Sequence, residues 1–261
     1  MSEDNDCCLV EVSPGKSDCC IVDVCLNDTF PFVLPTVQWS KVVGAQIGLD
    51  YINTILPIEQ QDPVLYPLNQ KPLLLYDVCK DGNCFFRCLN HEATGIDSEE
   101  GHKYMRTLIL DYINNIYGCQ PISKPMWEKF ENSYTGPFKM SHDDYLELCK
   151  QKGWATIEVI RAAATYFNIS IFTFTPTMPI ARDNPVPENA EWVWKEIRPI
   201  KLNHNLRFKQ QITSRFRKCT GAIYLYHENA NHYRPVYHMK AEDLPKHLEI
   251  QVRYSFPIRC P

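Results

Sequence analysis

The run Asp81-Gly82-Asn83-Cys84-Phe85-Phe86-Arg87 sets a cysteine directly after a glycine-containing turn and directly before an apolar, helix-like segment. Backbone N–H groups at a helix start carry partial positive charge, which favours thiolate over thiol. Gly82 lets the turn tighten and lets a substrate approach the backbone. Near the other end of the chain, Asn231-His232-Tyr233 puts a histidine inside an alternating, strand-like run. A cysteine and a distant histidine that a fold brings together are the minimum for thiol hydrolysis. Cys84 is the candidate nucleophile and His232 the candidate base.

Several elements must position this pair. Val42, Val43, Ile47, Tyr51, Ile52 and Ile55 recur at helical spacing between Val37 and Leu56. Pro57, Pro63, Pro67 and Pro72 then call for an extended connection. A short strand is expected at Leu73-Leu74-Leu75-Tyr76. The helix after Cys84 should stop at Thr94-Gly95. A second helix should start at Ser98 as N-cap, with Glu99 and Glu100 in its first turn. Ser141-His142-Asp143-Asp144 reads as another helix start carrying Tyr145, Leu148 and Cys149, and Thr156 as the cap of a helix striped by Ile157, Ile160, Ala164 and Phe167. Three strands are expected at Ile169–Phe174, Ala222–Tyr226 and His232–Tyr237, the last two joined by a hairpin-length turn. Pro235 points to an irregular or partly edge position for the last of them. The order is cysteine helix, further helices, then sheet with the histidine: an α/β (α+β) fold with a small central sheet flanked by helices.

The chain of 261 residues is 44% hydrophobic, which suits a sizeable core, and its net charge of −4 does not favour nucleic acid or an anionic membrane as partner. No apolar run approaches the roughly 20 residues that span a bilayer. The first residues, Met1-Ser2-Glu3-Asp4-Asn5-Asp6, are acidic and lack the basic-then-apolar pattern of a secretion signal. The expectation is an intracellular protein, cytoplasmic and/or nuclear, whose 12 cysteines are mostly reduced thiols. No CxxC or CxxCH spacing occurs, so zinc and c-type haem are not expected.

Taken together, four blocks resemble the OTU (ovarian tumour) family of cysteine proteases. Asp81–Arg87 is similar to the family's nucleophile motif. Ser98–Ile113, with His102 and Arg106, is similar to its second helix. Gly153-Trp154-Ala155-Thr156-Ile157-Glu158 followed by Ile169–Phe174 looks like its central helix and strand, and Ile223–Tyr226 through Asn231-His232-Tyr233 like its histidine strand. The resemblance covers roughly residues 71–240. It implies a papain-like fold and a deubiquitinase that cleaves the isopeptide bond after the C-terminal glycine of ubiquitin without metal or cofactor. It also counts Asp81 in the active constellation. Many relatives orient the histidine with Asp or Asn two positions after it; here that position is Arg234, which cannot accept a hydrogen bond from imidazole. Either Asp81 compensates, or Asn229 or Asn231 supplies a side-chain oxygen.

The remaining sequence divides into residues 1–35 as an acidic tail, 36–70 as a helix and Pro-rich linker, 71–240 as the catalytic domain and 241–261 as a C-terminal extension. The first 30 residues hold seven acids against one base and an internal repeat, Asp6-Cys7-Cys8-Leu9-Val10-Glu11-Val12 and Asp18-Cys19-Cys20-Ile21-Val22-Asp23-Val24. Leu9, Val10 and Val12, and again Ile21, Val22 and Val24, resemble SUMO-interaction motifs, in which a short extended segment adds to a sheet edge. Two copies would raise avidity for a SUMO chain. The stretch Lys201–Lys218 holds six bases and no acid, which suits a solvated face or a docking surface for an acidic partner. Trp192 and Trp194 alternate in a strand-like run, so one of them is expected to be exposed. The alternative to an enzyme is a catalytically silent OTU-like adaptor that only binds ubiquitin or SUMO.

Overall fold

The computed structural model describes residues 28–46, 48–51, 62–114, 147, 155–177, 186–199, 221–229 and 231–240. The tandem apolar-acidic motifs before residue 28, the basic stretch 201–218 and the extension 241–261 lie outside them. So does the helix expected from Ser141, except for Glu147, which is helical.

Local chemistry sets the ends of the helices. Helix α1 spans Val37–Gln46. Helix α2, Cys84–Thr94, stops at Gly95, whose φ of 84° is left-handed, as the Thr94-Gly95 turn predicts. Helix α3, Glu99–Tyr112, starts at Ser98, whose hydroxyl accepts the Gly101 N–H at 3.1 Å, with Glu99 and Glu100 in the first turn. Helix α4, Ile157–Phe167, has Thr156 in the cap position without a side-chain cap bond, and ends on left-handed Asn168. Among the described residues no helix is long and apolar enough to cross a membrane.

Among the described residues, seven strands form two sheets. Strands β1 (Thr29–Phe32) and β2 (Val64–Pro67) pair antiparallel. Strands β3 (Leu74–Leu75), β4 (Ser170–Pro176), β5 (Trp192–Ile197), β6 (Ala222–Glu228) and β7 (His232–His238) form one sheet in the order β3-β7-β6-β4-β5. Only β4 and β6 run parallel; the other neighbours are antiparallel. The strands alternate as a two-sided sheet must. Ile171, Ile223 and Leu225 face a core built with Phe85, Leu89, Ile109, Ile160 and Phe167 of the helices. Phe172, Phe174, Trp194 and Tyr224 face the opposite way. This is the α/β class with a small helix-flanked sheet that the element order predicts.

The second face corrects the division of the chain. Residues 29–34, expected in the tail, and residues 62–70, expected in the linker, are both built into the packed unit. Phe30 is completely buried, its ring 5.6 Å from Phe172 and 5.1 Å from Trp194. Tyr224 donates its hydroxyl to the Pro31 carbonyl at 2.6 Å, and Ala222 N–H donates to Val33 at 2.8 Å. Trp194 is buried and donates its indole N–H to the Gln70 carbonyl at 2.8 Å, while Trp192 is half-buried beside Tyr226. The apolar face of β4, β5 and β6 needs a cover, and the β1–β2 pair supplies it.

Pro235 sits inside β7 between two neighbours and not at an edge. Its carbonyl accepts Tyr76 N–H at 3.1 Å, so its own nitrogen points towards the same side, that of β3. That ladder is two residues long and its register shifts between Leu74 and Leu75. The missing donor therefore falls where the sheet is already irregular.

Candidate active site

The loop before α2 is clamped by two arginines. Gly82 has φ 81°, a left-handed turn that places Asn83 at the helix N-cap. Asp81 accepts Asn83 N–H at 2.9 Å and its side-chain amide at 3.0 Å. Arg87, in the first turn of α2, reaches back to both Asp81 oxygens, with its closest contact at 2.7 Å. The same guanidinium meets Asp97 at 2.9 Å and bonds Glu99. From α3, Arg106 donates to Asn83 Oδ1 and to the Gly82 carbonyl, each at 2.9 Å, and its guanidinium lies 4.4 Å over the Phe86 ring. Partial burial pushes the Asp81 carboxyl up, but the bonds from Arg87 and Asn83 and the Arg87 charge outweigh it and hold the group well below the usual carboxylate range. Oxygen and nitrogen atoms of Asp81, Glu99 and His102 cluster within 4.8 Å, and Arg87 bonds both carboxylates, so the cation of this cluster is the guanidinium.

This frame fixes Cys84 as the first residue of α2. Cys84 is buried, and its Sγ accepts the backbone N–H of Tyr233 at 3.3 Å. One turn along, the Cys88 thiol donates to the Tyr233 carbonyl at 3.5 Å. The two thiols on one face of α2 thus grip both polar groups of a single β7 residue, and that residue directly follows His232. Residues 149 positions apart in the chain, Cys84 and Tyr233, meet here, which sets the residue after His232 against the helix-start thiol. Cys84 and Cys88 are free thiols, whereas Cys79 in the preceding loop is disulfide-bonded, an exception to the expected reduced state.

The electrostatics describe a neutral resting pair. Burial pushes the Cys84 thiol up; N–H groups of Tyr233 and Phe85 act against this without reversing it. Burial pulls His232 below its ordinary value, with Lys80 adding to the effect. A protonated thiol and a neutral imidazole suit general-base activation in step with attack, not a preformed ion pair.

The three residues considered as orienters of the histidine do not meet it. Asp81 is bound to Arg87 and Asn83. Asn229 stands at φ 50° in the turn between β6 and β7, and Asn231 uses its N–H on the Glu228 carbonyl at 3.1 Å. Neither Asn side chain bonds the imidazole. The carboxylate near the ring is Asp77, whose Oδ1 lies 3.9 Å from His232 Nε2 and 3.5 Å from Arg234 Nε. Sequence reasoning missed Asp77 because it carries no motif. It is placed by the pairing of β3 with β7, which sets the residue after Tyr76 alongside Arg234.

A second polar group lies behind the pair. On α2, His91 Nδ1 is hydrogen-bonded to the Tyr237 hydroxyl of β7, Tyr237 also bonds Glu92, and Tyr76 stacks on His91 with centroids 4.0 Å apart. Burial lowers His91 to about 4 and raises Glu92 to about 7, so between these values the imidazole is neutral and the carboxyl keeps its proton.

No protein-family model and no curated protein sequence matches the chain. Solved structures do. The chain is similar to the Hazara virus OTU bound to ubiquitin, with TM-score 0.41 and 13% identity over 64% of this chain and 82% of that one. It is similar to the viral OTU domain protease from Dera Ghazi Khan virus, with TM-score 0.41 and 15% identity over 66% of this chain and 85% of that one. It is also similar to the OTUD1 OTU domain, with TM-score 0.36 and 16% identity over 62% and 84% of the two chains. Each of these is an OTU domain, the family whose motifs the sequence resembles.

Proposed function

We propose that the protein is a thiol-dependent ubiquitinyl hydrolase, a cysteine isopeptidase acting after the C-terminal glycine of ubiquitin. The observation that carries the chemistry is the 3.3 Å contact from Tyr233 N–H to Cys84 Sγ, which sets a helix-start thiol beside the residue following His232. The choice of ubiquitin rests on the sequence resemblance. In this reading His232 takes the Cys84 proton as sulfur attacks the glycine carbonyl. The C–N bond then breaks as His232 returns the proton to the departing lysine amine, leaving a thioester. Water, deprotonated by His232, hydrolyses the thioester and regenerates the thiol.

The oxyanion that forms in each step needs fixed donors, each typically worth ~10²–10³ in rate. The N–H of Asn83 is occupied by Asp81, which removes it from the donors this loop can offer an oxyanion. The N–H of Cys84 itself, already directed at its own sulfur, is the donor this loop geometry favours.

Under the same proposal, the segments Leu9–Val12 and Ile21–Val24 recruit the enzyme to SUMO-modified targets in the cytoplasm or nucleus; only their sequence supports this. The deciding experiment incubates the full chain with ubiquitin bearing a C-terminal alkyne. A covalent adduct that disappears with Cys84→Ala supports the hydrolase. No adduct, with ubiquitin still bound, replaces it with the silent adaptor. For the tail, changing Val10, Val12, Val22 and Val24 to Ala should abolish capture on poly-SUMO, and undiminished capture would refute that role.

A further inference from the structure

His232 Nε2 and Arg234 Nε are both buried nitrogens without a hydrogen bond among the described residues. A buried N–H left unpaired forfeits the hydrogen bond it had to water, so two of them call for an acceptor. Both lie nearest the same atom, Asp77 Oδ1, at 3.9 and 3.5 Å. The charged groups around the ring come from every neighbouring element. Asp77 and Lys80 lie on the loop after β3, Glu228 at the end of β6 and Arg234 on β7. Lys80 is held by Glu228 at 2.8 Å, and Glu228 also approaches Arg234 at 3.5 Å. Asp77 is therefore the carboxylate left for the imidazole.

We propose that Asp77 is the positioning residue for His232: Arg234 holds the Asp77 carboxylate, which accepts the Nε2–H of the imidazole and so leaves Nδ1 unprotonated as the base towards Cys84. The inference rests on the thiol-hydrolase reading for its catalytic meaning and on geometry for its structural one. Closing 3.9 Å to a hydrogen bond takes about 1 Å, a tightening common between resting and substrate-bound sites. Arg234 then has a part in the site although it cannot itself accept from the imidazole. It anchors an acceptor that comes from the loop after β3. Asp77 is half-exposed, so its removal leaves no cavity in the core.

The test uses the full chain with ¹⁵N-labelled histidine, as wild type, Asp77→Asn and Asp77→Ala. In the wild type the ¹⁵N shifts of neutral His232 report the Nε2–H tautomer. Asp77→Ala mixes the tautomers and lowers the titration midpoint of His232, since the carboxylate charge that supports imidazolium is gone. Asp77→Asn keeps the tautomer, because the amide oxygen still accepts. With alkyne-ubiquitin, Asp77→Ala reacts about tenfold slower or worse, equivalent to about 1.4 kcal/mol of barrier. Asp77→Asn recovers most of the rate, and the melting temperature is the same for all three. An unchanged tautomer and midpoint in Asp77→Ala overturns the proposal, as does an Asp77→Ala labelling rate equal to the wild type's. If the tautomer depends on Asp77 but the wild type takes no ubiquitin electrophile, the positioning stands and the substrate assignment fails.

Discussion

Arg87 lies 2.7 Å from Asp81, its guanidinium buried and reaching the carboxylate from the first turn of the helix that Cys84 begins. Asp81 therefore acts on the loop and not on the histidine. Replacing it should weaken turnover by loosening the donors around Cys84 while leaving the protonation of His232 alone. Asp81→Ala is expected to lower kcat/KM against a fluorogenic ubiquitin substrate without moving the acid limb of its pH profile. A displaced acid limb would put Asp81 back beside His232. Arg87→Ala is the more severe change, because it strips Asp97, itself 7% exposed, of its cation. Breaking a buried pair from one side costs about 3–5 kcal/mol, read as a lowered urea midpoint at pH 7.

The clarity of the sequence signal follows from how local each cause is. Gly95 and Ser98 end and begin helices through bonds within one turn, so the boundary between α2 and α3 is legible from residue types alone. Cys84 and His232 are legible because a helix-start thiol and a strand histidine are rare chemistry. The cover of the sheet by Phe30, Phe32 and Tyr66 is not, since β1 and β2 pair across more than thirty residues with no hairpin turn to announce it. Asp77 escapes for the same reason: its place depends on the register of a two-residue strand. The buried Arg87–Asp97–Glu99 contacts lie between these cases. The residues are within a dozen positions, but their ion pairs form only once α2 turns at Gly95 and α3 folds back.

Gly101 marks where α3 crosses α2. A Cβ there would stand 2.2 Å from Asn90 Oδ1 and 2.5 Å from Asn90 Cγ. Asn90 is fully buried, and its amide donates to the Ile96 carbonyl at 2.8 Å, so it has no free space to rotate into. Gly101→Ala should therefore destabilise, although Ala favours helices by about 1 kcal/mol over Gly. Overpacking of this kind typically costs about 1–3 kcal/mol. Thermal unfolding checks the sign: a higher melting temperature for the alanine variant would mean that helix propensity outweighs the clash.

The resting thiol–imidazole pair dictates the pH profile. His232 is lowered from its ordinary 6.5, chiefly by burial, so it stays a competent base below that pH. Cys84 is raised from its ordinary 9.0, again chiefly by burial, so loss of the proton shared by the pair falls above that pH. The profile of kcat/KM should be a broad plateau, with an acid limb below 6.5 and an alkaline limb above 9. Lys80 is a second lever. It disfavours imidazolium, so Lys80→Gln should move the acid limb upward. A wild-type acid limb at or above pH 7 would show that His232 is instead stabilised as imidazolium, and would remove the neutral-pair mechanism.

Glu92 gives stability a pH dependence of its own. Burial raises its carboxyl from the ordinary 4.5 to about 7, and the Tyr237 hydroxyl only partly opposes this. Below pH 4.5 the group is protonated in folded and unfolded chains alike, and its contribution is flat. Between 4.5 and 7 the folded chain holds a proton that the unfolded chain releases, so this contribution falls steadily as pH rises. Above about 7 the folded protein carries a buried carboxylate, and the penalty is full. Glu92→Gln keeps the acceptor for Tyr237 and removes the charge. It should flatten this part of the stability profile and raise stability at pH 8 by on the order of 1–3 kcal/mol, with little effect at pH 4.5. Urea unfolding of both proteins at the two pH values measures it. Equal gains at both pH values would assign the effect to packing and not to the proton. Because the His91–Tyr237–Glu92 chain ties α2 to β7, Glu92→Gln should also leave the Cys84–Tyr233 contact in place, so alkyne-ubiquitin labelling proceeds at the wild-type rate.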